Sequence, residues 1–233
     1  MSELEIVKEL AKRALTIPLA TGNVDGSLWD GAQRLVRNAE YICRLPELAD
    51  SGVQIDRFCL ISAAYFSNAG LVRYLEVKEG GGRLELFDSN GEELLAFSTQ
   101  VVEEKLSGAV ERTRIEKINK IITESGNHFT RMTEAMVLSD ARNLDDMGAT
   151  GLFNEFRRYV IRGKSACDAV RSWKRKIDYR YWQARLKESF WFEQVRKLAE
   201  QRLSTVECFM NQLKVETEAL DLEELFIEAL EER

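Results

Sequence analysis

The most distinctive stretch of the chain reads Asp140-Ala141-Arg142-Asn143-Leu144-Asp145-Asp146-Met147-Gly148-Ala149-Thr150-Gly151. An aspartate that starts a helix normally caps it, because its carboxylate accepts hydrogen bonds from the backbone N–H groups of the first turn. We therefore expect a structural, capping role for Asp140. Asp145, Gly148 and Gly151 are expected to preserve the start and the close packing of this helix, since glycine has no side chain to keep a neighbour away.

Helical spacing of apolar residues extends from this stretch toward the N-terminus. Ser27 is predicted to cap a helix that ends near Pro46, with Asp30 as its capping-box partner. Residues 55–75 hold too few charges for a surface helix, so they are predicted to form a central one. Residues 89–106 are predicted to be helical, since their glutamates suit a helix better than the alternative hairpin strand. The N-terminal side is therefore predicted to be mainly helical, with loops between the helices.

Toward the C-terminus, two long helices are predicted over residues 165–187 and 190–216. The fold class is expected to be all-α, a bundle of about eight helices. We expect an N-terminal helical arm and loop at 1–26, a helical domain at 27–216 and an acidic amphipathic helix at 217–233. The apolar stripe of that last helix must be buried against the domain or a partner, which favours a homodimer.

Composition and charge argue against several classes of protein. The net charge of −6 argues against a general nucleic-acid binder. No apolar run approaches the length of a membrane span, and the acidic start lacks the layout of a secretory signal, so a cytoplasmic location is expected. The four cysteines show no CxxC spacing, and three lie in apolar helical contexts, which predicts buried, reduced thiols.

The order of these segments resembles the HD superfamily of metal-dependent phosphohydrolases, in particular its small bacterial branch of predicted hydrolases. The family pattern Asp-Ala-Asp-x-Leu-Asp-x-x-Gly-Ala-x-Gly is similar to residues 140–151. The family's Ala-Ala-x-x-His-Asp-x-Gly is similar to residues 63–70, where Ser67-Asn68 replaces His-Asp. The first histidine of the family lies shortly before an Arg-Val pair. In this chain Gly31 occupies that position, before Arg34-Leu35. The resemblance covers about residues 27–216 and implies an HD-type helical domain.

The resemblance also implies a divalent metal held by two imidazoles and two carboxylates at positions 31, 67, 68 and 140. Glycine offers no side-chain ligand, serine is a weak neutral one, and asparagine brings no charge. Only Asp140 keeps its ligand chemistry. The whole chain contains one histidine, His128, so no shift of alignment restores two imidazoles. We therefore expect no metal cofactor and no catalysis of the family's kind.

The function that follows is a degenerate HD-domain protein that binds a nucleotide or another phosphate ligand, or acts as a regulatory module. Arg34, Lys164 and Arg185 are the expected anion-binding residues. The alternative is a divergent metal-dependent phosphohydrolase with an oxygen-only Mg²⁺ or Mn²⁺ site around Asn68, Asp140 and Asp145.

A second alternative is nucleic-acid binding through residues 171–187. This segment has seven basic residues against Asp178, interleaved with four aromatic ones, Trp173, Tyr179, Tyr181 and Trp182. Rings that stack on bases and cations that bind phosphates would suit a single strand. The competing interpretation is that the aromatic rings pack inside while the cations face water. His128, in a polar loop, and Cys167, with no histidine nearby in sequence, are not expected to be catalytic.

Overall fold

The computed structural model describes residues 2–18, 24–50, 52–77 and 91–222. In this part of the chain, twelve helices and one antiparallel pair of two-residue strands follow one another. They are α1 (Glu3–Leu15), β1 (Ile17–Pro18), β2 (Val24–Asp25), α2 (Ser27–Ile42), α3 (Pro46–Ala49), α4 (Arg57–Phe66), α5 (Ala69–Val77), α6 (Gly91–Leu106), α7 (Arg112–Glu124), α8 (Thr133–Asp145), α9 (Gly148–Ile161), α10 (Ala166–Asp178), α11 (Tyr181–Glu188) and α12 (Glu193–Glu218). The all-α class is confirmed, with more and shorter helices than the eight expected.

The described residues divide into two compact units. The first comprises the residues up to Asp145 together with Ser189–Val195, and the second comprises Asp146–Glu188 and the residues from Arg196 onward. The predicted boundaries near residues 26 and 216 stay predictions. Most of the predicted C-terminal helix lies outside the described residues, and so does the start of the segment predicted at 89–106.

The first unit is built around α4. Every residue from Cys59 to Phe66 is buried, because this helix packs against α1, α2, α7 and α8. The prediction of a central helix is confirmed, although it ends at Phe66 and the chain turns at Ser67-Asn68 before α5. Helix α1 adds three fully buried residues to the same core, namely Val7, Ala11 and Leu15.

The second unit contains α9, α10, α11 and the part of α12 from Arg196. Trp173 and Trp182 pack with ring centroids 5.5 Å apart, and Phe156 packs on Phe209 at 5.9 Å. The prediction of one helix over residues 165–187 was wrong. Arg180 has a left-handed backbone (φ 53°), which a continuous helix does not allow, so the chain forms α10 and α11 instead.

Two local predictions need correction. Gly26, not Ser27, is the N-cap of α2, and Ser27 instead donates its N–H to the Asp25 carboxylate at 2.9 Å. Cys59 is buried and Cys43 half-buried, whereas Cys167 and Cys208 are exposed, so the expectation of three buried thiols was wrong. Sequence patterns show that a cysteine lies on a helix but do not fix which face it occupies. None of the described helices is long and apolar enough to cross a membrane.

Candidate functional site

The four positions that the resemblance aligns with the metal ligands of the HD family all lie in the first unit. Gly31 belongs to α2, Ser67 and Asn68 form the turn after α4, and Asp140 lies in α8. Helix α2 packs against both α4 and α8, and α4 also packs against α8. The fold therefore places the three elements side by side. The side chains that they contribute there determine which ligand this region could bind.

Gly31, a buried residue of α2, has no side chain at the position where the resemblance implies an imidazole. Among the described residues, a Cβ atom added to Gly31 would have one neighbour within 4 Å, the Nη2 atom of Arg34 at 3.6 Å. Arg34 lies one helical turn further along α2, so its guanidinium reaches back beside the missing side chain. A fixed positive charge thus lies next to Gly31.

Asp145 holds this guanidinium in place. Its two carboxylate oxygens accept hydrogen bonds from Arg34 Nε at 2.7 Å and Nη2 at 3.1 Å, the paired geometry that guanidinium and carboxylate favour. The two side chains are 29 % and 14 % exposed. The hydrogen bond that Arg34 donates to Asp145 is the main cause that raises the pKa of Arg34, so the cation is permanent.

Ser67 and Asn68 are neutral residues at the positions where the resemblance implies a His-Asp pair. The buried Ser67 hydroxyl donates to the Ala64 carbonyl oxygen at 3.2 Å, and its own carbonyl accepts from the Ser98 hydroxyl at 2.9 Å. Asn68 is half-buried, and its backbone carbonyl oxygen accepts a hydrogen bond from the backbone N–H of Leu71. Both residues therefore serve the turn between α4 and α5.

Asp140 is fully buried, and both of its carboxylate oxygens are engaged. Oδ1 accepts from the N–H of Trp191 at 2.9 Å and Oδ2 from the N–H of Phe192 at 3.0 Å. Because Asp140 lies inside α8 and not at its start, the expected cap of its own helix was wrong. The carboxylate instead holds the residues that lead into α12. Burial raises its pKa to about 7, against the opposing effect of the two N–H groups.

Glu47 was missed by the sequence argument and has a parallel role. Its carboxylate accepts from the N–H groups of Glu193 at 3.3 Å and Gln194 at 3.1 Å, the first residues of α12. Together with Asp140 it satisfies four consecutive backbone donors at a helix N-terminus, where negative charge is stabilising. No sequence signal connects these residues, since about 146 positions separate Glu47 from Glu193.

These contacts test whether the metal implied by the resemblance fits. Gly31 supplies no donor atom, the Ser67 hydroxyl faces a carbonyl oxygen, and both oxygens of Asp140 accept backbone N–H bonds. A guanidinium adjoins the same place, and a cation is repelled by it. Among the described residues, no three His, Cys, Asp or Glu side chains form a group suited to a metal ion. The donor set does not fit the family's metal.

The second unit contains the other predicted residues. Arg185 donates to Asp146 at 2.9 Å, and Lys164 is exposed with its ammonium 5.8 Å from the ring centre of Tyr159. Arg34 belongs to the first unit, so the three predicted anion-binding residues are divided between the units. Their common site stays a prediction.

Gly148 and Gly151, also in the second unit, are positions of close approach. A Cβ atom on Gly148, whose φ is +77°, would lie 2.9 Å from the Arg202 Cβ atom. On Gly151 it would lie 1.9 Å from the Asp146 carbonyl oxygen, closer than any real contact. Neither position accepts a side chain without a shift of the backbone.

The aromatic rings of residues 171–187 lie in two different environments. Trp173 and Trp182 are buried, whereas Tyr179 is 82 % exposed and Tyr181 is 42 % exposed. Of the cations, Lys176 is paired with Glu155 at 2.6 Å. The tryptophans therefore follow the packing interpretation, and the tyrosines remain available to solvent. His128 and Cys167 are both exposed.

Comparison with known proteins identifies this fold. No protein-family model matches the chain, and no curated protein matches it significantly in sequence. Among solved structures, that of Bacillus subtilis YpgQ in complex with ADP matches with a TM-score of 0.58 and 18 % identity, over 92 % of this chain and 94 % of that one. Another structure of YpgQ matches with a TM-score of 0.56 over 93 % and 97 %. The chain therefore has the all-helical fold of YpgQ.

Proposed function

We propose that this chain is a degenerate HD-domain protein that binds a nucleotide or another phosphate ligand in the first unit, without a catalytic metal. The main support for the proposal is that, where the resemblance implies a metal ion and its charged ligands, the chain has mostly neutral residues and an arginine side chain. Three of the four positions provide no charged ligand, and the Arg34 guanidinium lies beside the first of them. A fixed side-chain cation takes the place that the resemblance assigns to a metal cation.

Arg34 is suited to receive a phosphate while it remains held by Asp145. A guanidinium has five N–H donors in a planar fork, and the Asp145 carboxylate accepts two of them. The other three lie outside this pair, and the side chain is 29 % exposed. Arginine binds phosphate oxygens through such parallel donors. The carboxylate orients the fork and leaves its outer edge for the ligand.

ADP is the first ligand to test, because YpgQ was crystallised in complex with it and shares the fold. Tag-free protein in EDTA would be titrated with ADP by calorimetry and followed by thermal unfolding. A ligand that binds only the native state raises the melting temperature. We expect binding in EDTA, weakened about tenfold by Arg34→Gln through loss of a charged hydrogen bond.

Arg37→Gln is the matched control, since Arg37 lies one turn along the same helix and is exposed. It is expected to bind ADP as the wild type does. Equal affinity of wild type and Arg34→Gln would contradict the proposed site, and no binding of ADP, AMP or inorganic phosphate would contradict the proposed ligand class.

The alternative phosphohydrolase with an oxygen-only site makes the opposite prediction. Elemental analysis after incubation with Mn²⁺ or Mg²⁺ would find about one equivalent of metal per chain, lost on Asp140→Ala. Phosphate release from a nucleotide would then require that metal. Either result would replace the proposal with the enzyme.

A further inference from the structure

An open hollow of about 300 Å³ lies in the second unit, where α10 ends and α11 begins. Its lining consists of five residues, Ser172, Arg175, Lys176, Tyr179 and Tyr181. The first four recur at helical spacing and share one face at the end of α10, whereas Tyr181 is the first residue of α11. Proteins bind small organic groups in sites that start at roughly this size, about 300 Å³.

Two tyrosine rings border this hollow, and they differ in how they are held. Tyr181 packs edge-on against the buried Trp182, with ring centroids 5.0 Å apart, and Lys176 Nζ lies 5.9 Å from its ring centre. Tyr179 is largely exposed, and its ring has no ring or cation contact among the described residues. A flat ring in this situation offers its face to another flat ring, because aromatic rings attract one another when they stack.

Two acids adjoin the residues of this hollow, and each has a lysine as its partner. Glu155 Oε1 lies 2.6 Å from Lys176 Nζ. Asp178, the one acid among residues 171–187, has its Oδ2 atom 3.9 Å from Lys174 Nζ. These two carboxylates are therefore neutralised by lysines and not by arginines.

Two arginines at the hollow have no such partner. Arg175 lines it and is exposed, and Arg180 lies between the two tyrosines in the chain and is also exposed. Among the described residues, neither guanidinium makes a hydrogen bond or an ion pair. A guanidinium presents five N–H donors in a planar fork that matches the oxygens of a phosphate. These two cations are therefore available to an external anion.

We propose that this hollow binds single-stranded nucleic acid, with a base stacked on Tyr179 and the neighbouring phosphates paired with Arg175 and Arg180. Every base has a flat face and every nucleotide a phosphate, so this binding does not depend on the base sequence. In a duplex the bases are stacked inside, out of reach of the ring. Single strands are therefore preferred.

The ring and the cations together select this ligand. An inorganic phosphate would pair with a guanidinium but leave the ring of Tyr179 in water, and an uncharged aromatic molecule would do the converse. Arg175 and Arg180 lie before and after Tyr179 in the chain, and a strand likewise has a phosphate on each side of a base. The net charge of −6 does not prevent such local contacts, because salt screens distant charges beyond about 8–10 Å.

The test measures the fluorescence anisotropy of a labelled twelve-residue oligothymidylate with the full, tag-free chain in EDTA. An abasic strand of the same length and thymidine monophosphate are the comparison probes. We expect the oligothymidylate to bind about tenfold more tightly than either, the factor that one stacked base contributes. The logarithm of its binding constant should fall with the logarithm of the salt concentration with a slope of about −1.4, as for two phosphate contacts on a single strand.

Three variants locate the binding. Tyr179→Ala is expected to weaken it about tenfold, whereas Tyr179→Phe keeps the ring and should bind as the wild type does. Arg175→Gln is expected to weaken binding and to reduce the magnitude of the salt slope by about 0.7, the share of one phosphate contact.

The matched controls lie in the first unit. Tyr41 is also a largely exposed tyrosine, with Arg44 5.4 Å from its ring centre, and Tyr41→Ala removes it. Arg131 is exposed, so Arg131→Gln makes the same change of net charge as Arg175→Gln. Neither control should alter binding of the strand. Arg34→Gln should not alter it either, which separates this site from the one proposed for ADP.

Tyr179 and Arg175 are exposed, so their replacement is expected to leave the fold intact, as circular dichroism and the melting temperature will show. No binding of the oligothymidylate at low salt would overturn the proposal as a whole. Equal affinity for the abasic strand would overturn the stacking, and equal affinity for thymidine monophosphate would overturn the strand as the ligand. Unchanged binding in both Tyr179→Ala and Arg175→Gln would overturn the location.

Discussion

Two regions of the first unit differ in how far their charged side chains are buried. At the positions that the resemblance assigns to a metal, the charged side chains have internal partners: Asp140 accepts hydrogen bonds from two backbone N–H groups, and Arg34 pairs with Asp145. Beside the cavity of about 580 Å³ between α1, α5 and α6, the charged side chains Arg13, Glu104 and Lys105 are exposed. A buried charge depends on its internal partners, whereas water screens an exposed charge. Replacing charges in the two regions should therefore change stability by different amounts.

The largest effect is expected from Asp140→Ala. It leaves the N–H groups of Trp191 and Phe192 without acceptors, and the second of these bonds is buried. Each unsatisfied buried donor destabilises by about 1–3 kcal/mol, so the free energy of unfolding should fall by roughly 2–5 kcal/mol. Urea unfolding measures this loss. Asp30→Ala, an exposed aspartate on α2, is the control and should change stability by less than about 1 kcal/mol.

The same variant gives a pH test with a definite sign. The pKa of Asp140 is raised to about 7 by burial, so its folded state binds a proton more tightly than the unfolded chain, where the ordinary value is 3.8. Its contribution to stability is therefore complete below pH 3.8 and decreases as the pH rises to 7. The stability difference between wild type and Asp140→Ala should grow as the pH falls from 8 to 5. A difference that shrinks over this range would show that the charged form is preferred.

A smaller effect is expected from the Arg34–Asp145 pair. Arg34→Gln removes one partner of a partly buried, paired contact and should destabilise by about 1–2 kcal/mol. The double variant with Asp145→Asn should be less destabilised than the sum of the two single variants, because the two residues act on one another. If the effects of the two single variants simply added in the double variant, the contact between Arg34 and Asp145 would contribute nothing to stability in solution.

The smallest effect is expected at the cavity. Arg13→Ala should change the free energy of unfolding by less than about 0.5 kcal/mol, because the residue is exposed. Urea unfolding measures the change. A loss of stability comparable with that of Arg34→Gln would remove the contrast between the two regions.

The sequence predicted the helical class and the central helix correctly, and for local reasons. The apolar residues recur at helical spacing, and both prolines lie in the first fifth of the chain, so little besides helix is expected. An apolar run such as residues 59–66 must also be buried. Ser165 caps α10 through an equally local contact, because its capping-box partner Asp168 is three residues away. The break at Arg180 was not recognised, because a non-glycine residue with positive φ has no pattern in the sequence.

Long-range contacts explain what the sequence did not reveal about the site. Asp140 was expected to cap its own helix, yet its acceptors serve residues about 51 positions away. The pairing of Arg34 with Asp145 spans 111 positions, and each residue alone looks like an ordinary surface charge. The cavity draws its lining from four elements, so no motif marks it.

The sequence by itself determined that this protein is helical and that it lacks the imidazoles for a histidine-rich metal centre, since one histidine is a matter of composition. Only the tertiary structure decided what the remaining charged residues do. Partners of a buried charge are chosen by the packing of distant segments, and the free energy of a charge depends on those partners and on burial. That is why Asp140 binds the backbone that leads into α12 and Arg34 lies beside Gly31.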